Sequence, residues 1–167
     1  GLSRHRFPGI GARWMGYCDV PDALLLPGRH PQLRTVDFRA GVELTVFHLG
    51  LWALSWPCRF GLVRHPERLA PMLLALKRRL GGLGSDVGGM FVTLEGRDAA
   101  GSPKKSEWHL IARDGHGPYV PALAATILAR KLLAGTIAER GAHACVGLVA
   151  LDEFVAECAD LSIETTV

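Results

Sequence analysis

The strongest constraint on what this chain can fold into is a change of apolar period at Gly89. From there to Gly115, Met90, Val92 and Leu94 alternate with Phe91, Thr93 and Glu95, and later Trp108, Leu110 and Ala112 alternate with His109, Ile111 and Arg113. Successive side chains of a strand point to opposite faces, so a two-residue period predicts two half-buried strands. The connection, Gly96 to Lys105, holds Asp98, Gly101, Ser102 and Pro103, which favour turns and would break a central strand. The pair reads as a β-hairpin with His109 on its solvent face.

Helical periods flank the hairpin. Leu69, Met72, Leu73, Leu76 and Leu80 follow Pro66 at helical spacing, with Lys77, Arg78 and Arg79 in the last turn and Gly81-Gly82 as the stop. Beyond the hairpin, Leu123, Ile127, Leu128 and Leu132 form a second stripe ending at Gly135, and Leu151, Phe154, Val155 and Cys158 a third. Cys145 to Ala150 reads as a short buried strand or extended segment between them. Leu44 to Val63 is about as long as a bilayer span, but Pro57 and Arg59 interrupt it, which predicts a buried or interface helix over Leu44 to Trp56. Ahead of it, Thr35 to Val42 alternates like a strand. The first thirty-four residues, dense in Pro and Gly as far as Gly28, read as a loop-rich opening segment, mostly extended or looped and without a long regular element.

At 167 residues, with 49% hydrophobic, the chain suits one α+β domain spanning 1–167, an antiparallel or mixed sheet with helices packed on one face. The net charge of +3 is scattered along the chain, which argues against nucleic acid as a partner. Cys18, Cys58, Cys145 and Cys158 stand far apart, without a C-x-x-C pair or a signal peptide before them, so reduced thiols and a cytoplasmic location are expected. The start at Gly1, without methionine, reads as the edge of an excised piece.

Composition and spacing name no reaction. Gly9-Ile10-Gly11 and Gly82-Leu83-Gly84 lack the third glycine and the strand-to-helix setting of a dinucleotide fingerprint, and read as turns. Seven histidines, His5, His30, His48, His65, His109, His116 and His143, show no ligand spacing, so no metal is expected. His116 is the exception worth pursuing. It stands in the elbow Asp114-Gly115-His116-Gly117-Pro118, where an imidazole near the Asp114 carboxylate could serve as acid or base, or simply cap the next helix. Tyr17-Cys18-Asp19-Val20-Pro21-Asp22 puts a thiol in a stiffened loop, a candidate nucleophile if a base or cation approaches Cys18, and otherwise packing and turn residues.

The order of these motifs carries a resemblance. Arg13 to Asp22 (RWMGYCDVPD) is followed by Leu49 to Trp56 (LGLWALSW), Gly84-Ser85-Asp86 with Gly88-Gly89-Met90, the elbow Asp114 to Pro118, and Cys145-Val146-Gly147-Leu148 before Leu151-Asp152-Glu153-Phe154. From Arg6 to Ile163 the chain resembles the C-terminal part of bacterial saccharopine-dehydrogenase-like NAD(P)-dependent oxidoreductases. The resemblance implies a substrate and dimerisation domain with no cofactor site of its own. The NAD(P) would be held by an N-terminal Rossmann domain of the parent chain, and this fragment alone would be inactive. It implies a small-molecule substrate and a homodimer, with His116, Asp114 and Cys18 as the candidate catalytic residues. The alternative is a non-catalytic dimerisation or partner-binding module built on the helix bearing Trp52 and Trp56; membrane attachment through that helix is a weaker reading still.

Overall fold

The computed structural model describes every residue except Arg140 and His143. The chain is α+β, with two three-stranded antiparallel sheets and five α-helices among the described residues, and it divides into two compact units, Gly1–Ser85 and Asp86–Val167.

In the first unit, strands β1 (Leu2–Phe7) and β2 (Gly11–Tyr17) form a hairpin, and β3 (Arg39–Ala40) adds to the other edge of β2. Residues 2–17 thus take the extended alternative and not the loop. The Pro8-Gly9 and Gly11 punctuation is concentrated at the hairpin turn, where Gly9 and Gly11 take φ of 70° and 79°, so it permits two paired strands instead of breaking them. Helix α1 (Asp22–Arg29) follows, with Pro27 tolerated in its last turn. The expected strand over Thr35 to Val42 shrinks to two paired residues. At Gly41 the chain crosses so close to β2 that an added Cβ would lie 2.2 Å from the Trp14 carbonyl oxygen.

Helix α2 (Thr45–Arg59) packs on β2 and runs one turn further than Pro57 suggests. Pro57 gives up one N–H and crowds the preceding turn only near the helix end, and its carbonyl accepts from the N–H groups of Leu62 and Val63, which closes that end. No helix among the described residues is long and apolar enough to cross a membrane. A 3-10 turn at Pro66–Leu69 leads into α3 (Ala70–Leu80), and Pro71 occupies its first turn, where a missing N–H costs least.

In the second unit, β4 (Gly88–Arg97) and β5 (Pro103–Ala112) form the expected hairpin in continuous register, Met90 facing Leu110 and Phe91 facing His109. The Asp98 carboxylate accepts from the N–H groups of Ala100 and Ser102 and shapes the turn. The strand β6 (Ile163–Thr166) pairs with β5, making it central. His109 is therefore not on a solvent face. Residues 109–112 are all buried, so both faces of β5 are covered there, and His109 stacks near Phe91.

Helix α4 (Val120–Leu133) ends at Gly135, whose φ of 68° lets the chain turn back on the last carbonyls. It packs on α5 (Leu151–Glu157), and two ion pairs, Arg130 with Glu157 and Lys131 with Glu153, tie the helices together. The Glu153 carboxylate also reaches back to the Ala150 N–H at 2.8 Å, closing the start of α5. Cys145 to Ala150 is neither buried nor strand. Cys145 is exposed, and Gly147, at φ 75°, turns the chain so that the Leu148 carbonyl accepts from Lys131 Nζ.

Candidate functional site

The first unit contains a groove of about 660 Å³ between one face of α2 and the end of its sheet. The sheet side is formed by Gly16, Tyr17 and Cys18 at the end of β2 with Ala40, Gly41 and Val42 after β3. The α2 side carries His48, Leu51, Trp52, Ser55, Trp56 and Arg59, positions that the 3.6-residue period places along one stripe.

His48 is the chemically distinctive member. It is only 8% exposed, and its Nε2 is buried without a hydrogen-bond partner. Its ring lies against Gly16 of β2, where an added Cβ would make ordinary van der Waals contact with Nε2 at 3.8 Å. Trp52 and Trp56 are 41% and 46% exposed and meet edge to face at 5.9 Å, and Trp56 stacks on Phe60 at 6.1 Å. Burying a polar atom unpaired while leaving two indoles open to water is the reverse of what stability alone selects.

Two charge clusters lie in the same unit. Arg39 donates to Asp37 and to the Tyr17 hydroxyl, and its guanidinium lies 4.4 Å from the centre of the Tyr17 ring. The Asp37 hydrogen bond holds the Arg39 pKa above its usual value. Glu43, one residue before the segment leading into α2, accepts from the Ser85 hydroxyl at 2.6 Å and the Ser85 N–H at 2.7 Å, with Arg13 alongside. Those Ser85 bonds, with Arg13 adding to them, hold its carboxyl below the ordinary carboxylate range.

The candidate residues drawn from the sequence fall in different units. Cys18 lines the groove and is exposed, its thiol making only a long contact to the Asp19 carbonyl, with no base or cation bonded to it among the described residues. Asp114 and His116 share one turn of the second unit, Asp114 at φ 54° and Gly115 at φ 71°. His116 Nδ1 accepts from the Ser162 N–H at 2.8 Å, fastening the elbow to the segment that leads into β6, and its ring meets Tyr119 edge to face. No hydrogen bond joins Asp114 to His116 among the described residues.

The groove's key imidazole, His48, was hidden in the sequence as one histidine of seven inside an apolar run. The available signal was its place on the same helical stripe as Trp52, Ser55, Trp56 and Arg59. No three His, Cys, Asp or Glu side chains gather in a metal-binding arrangement among the described residues, and His143 lies outside them.

Nor do the chain's glycine runs fit a dinucleotide. Gly9 and Gly11 bound an antiparallel hairpin turn, and Gly82 and Gly84 trail a helix, whereas a dinucleotide crevice needs its glycines between a strand and a helix of a parallel unit. Against protein-family models, curated proteins and solved structures, the chain matches none.

Proposed function

We propose that this chain shapes the substrate cleft of a saccharopine-dehydrogenase-like oxidoreductase, with the NAD(P) gripped by a separate Rossmann domain of the parent protein. One observation carries the reading: two separate segments that bear the resemblance, Arg13 to Asp22 and Leu49 to Trp56, converge on one groove through Tyr17, Cys18, Leu51, Trp52, Ser55 and Trp56. A cleft that combines apolar walls with a few convergent polar groups is the usual form of a small-molecule site. In this reading the elbow at Asp114 and His116 stays a secondary candidate, because it belongs to the unit that does not hold the groove.

The test is turnover. Parent protein carrying both parts should oxidise or reduce a small apolar metabolite with a matching change in nicotinamide absorbance, and Trp52→Ala should lower kcat/KM about tenfold or more. Turnover indifferent to Trp52 and Trp56 would remove the cleft from the reaction. A second reading, a non-catalytic dimerisation module, is favoured by the exposed run Trp52, Trp56 and Phe60. Under it, sedimentation would show a dimer that Trp56→Ala dissociates, with no loss of turnover in the parent.

A further inference from the structure

The positive charge of the chain is concentrated in one stretch of the first unit. Between Leu44 and Ser85 six arginines and lysines stand against one acid, Glu67, while the remainder of the chain holds more acids than cations. Glu67 is already paired with His65 at 2.9 Å. Arg59, Arg64, Arg68, Lys77, Arg78 and Arg79 are all exposed, with no carboxylate partner among the described residues. Cations gathered in this way repel one another unless an anionic surface neutralises them.

The same stretch presents apolar side chains outside any core. Where α2 ends, the Gly61 and Leu62 N–H groups donate back to the Cys58 and Pro57 carbonyls, and Gly61 turns at φ 71°. Phe60 and Leu62 flank that turn at 68% and 79% exposure, with Arg59 and Arg64 close on either side in sequence. Trp56 stacks on Phe60 and extends the apolar run along α2. Beyond Arg68, α3 makes its main contacts only with the 3-10 turns that flank it, buries no residue, and leaves Met72, Leu74 and Leu76 open.

We propose that this tip, with the basic end of α3 behind it, docks on the surface of an anionic lipid bilayer. Phe60 and Leu62 enter the headgroup boundary, Arg59, Arg64 and Arg68 pair with the anionic headgroups, and Lys77, Arg78 and Arg79 add to the attraction. The chain lies on the bilayer and does not span it. Nucleic acid would neutralise the same cations, but it offers no hydrocarbon to Leu62, Met72 and Leu74. Trp56 and Phe60 also stack on one another, which occupies ring faces that a base would need. The inference is independent of the substrate-cleft reading.

Flotation of the full chain with phosphatidylcholine vesicles containing about one-third phosphatidylserine, and with phosphatidylcholine alone, tests it. The anionic vesicles should bind the chain about tenfold or more tightly than the neutral ones, and about 0.5 M salt should release it. Phe60→Ser combined with Leu62→Ser should weaken binding about tenfold. Arg59→Gln, Arg64→Gln and Arg68→Gln should weaken it about fivefold for each cation removed. All five positions are exposed, and circular dichroism confirms that each variant folds. Tryptophan emission of the wild type, quenched by lipids brominated high on the acyl chain, gives a readout that needs no variant.

No flotation with the anionic vesicles, or emission that such lipids leave unquenched, overturns the proposal. So does equal binding to neutral vesicles that ignores the glutamine changes, or anionic binding that survives loss of Phe60 and Leu62. A single-stranded oligonucleotide that displaces the vesicles and binds the serine variant as well as the wild type assigns the cations to nucleic acid and overturns it too.

Discussion

The two units are built on the same plan, a three-stranded antiparallel sheet with helices, yet they spend their apolar residues differently. In the second unit Leu110, Ile111, Ala112, Ile127, Ile137 and Cys158 are buried together with His109. In the first, the buried apolar side chains are Phe7 and Met15, the buried polar one is His48, and two tryptophans remain open at a groove. A core and a cleft compete for the same aromatic and aliphatic surface. The second unit holds its fold by packing, and the first by close backbone fit and charge anchors around a space kept open.

The largest break in that comparison should come from Leu110→Ala. Leu110 is 2% exposed at the centre of β5, and deleting most of a buried leucine costs about 3 kcal/mol once the cavity is included. Hydrogen exchange read by mass spectrometry should show the loss across β4, β5 and β6. Met15→Ala in the first unit should cost less, about 2 kcal/mol, because that side chain is 8% exposed and borders a smaller core. Equal losses would mean that the units are packed alike.

The first unit has its own weak point, of a different kind. Gly41→Ala would push a Cβ to 2.2 Å from the Trp14 carbonyl oxygen and 2.9 Å from the Met15 sulfur, and the backbone oxygen cannot yield cheaply. Overpacking of this sort costs about 2 kcal/mol. Chemical denaturation should register it, whereas Gly50→Ala on α2, with open space at its Cβ, should be neutral or slightly stabilising.

The legibility of the two units differed for the same physical reason. The hairpin at 88–112, the elbow, α4 and α5 were readable because a packed core imposes periodicity on the sequence that fills it. Around the groove the period misleads. Thr35 to Val42 alternates like a full strand but pairs over two residues, since Gly41 brings the chain hard against β2 and ends the ladder. The opening hairpin hid behind glycines whose work is at its turn. His109 was placed on the wrong side because alternation assumes one wet face, and β5 has none near its end. β6 is four residues long, too short for a period to emerge, and only the β-branched run Ile163, Thr165 and Thr166 hinted at it. Of the site, Tyr17 and Cys18 were visible as a loop of reactive types; His48 was not, since an unpaired buried nitrogen is a property of packing.

The anchors of the first unit give a pH signature. Glu43→Gln keeps one acceptor for Ser85 but loses the charge, and should cost about 1 kcal/mol at neutral pH. Because Ser85 lowers the folded-state pKa of Glu43 beneath its unfolded value, its contribution is fully present above the ordinary carboxylate pKa of 4.5 and fades as pH falls through the lowered value. The stability difference between wild type and Glu43→Gln should therefore close in acid. A difference that stays constant would show that the carboxylate's charge contributes nothing to the anchor.

The smallest effect belongs to the elbow of the second unit, and it separates chemistry from geometry. Asp114 sits at φ 54°, a left-handed conformation that Asp tolerates and Gly adopts freely, and its carboxylate makes no hydrogen bond among the described residues. Asp114→Gly should stay within about 0.5 kcal/mol of wild type in denaturant melts, the relief at this φ offsetting the added freedom of the unfolded chain. Asp114→Val, β-branched at positive φ, should cost about 1 kcal/mol or more. If the elbow is only a turn, the glycine variant of the parent protein keeps its turnover and the valine variant loses stability. If the Asp114 carboxylate does chemistry, both variants lose turnover, the glycine one while still fully stable, and the reacting atoms must be sought in the packed unit and not at the groove.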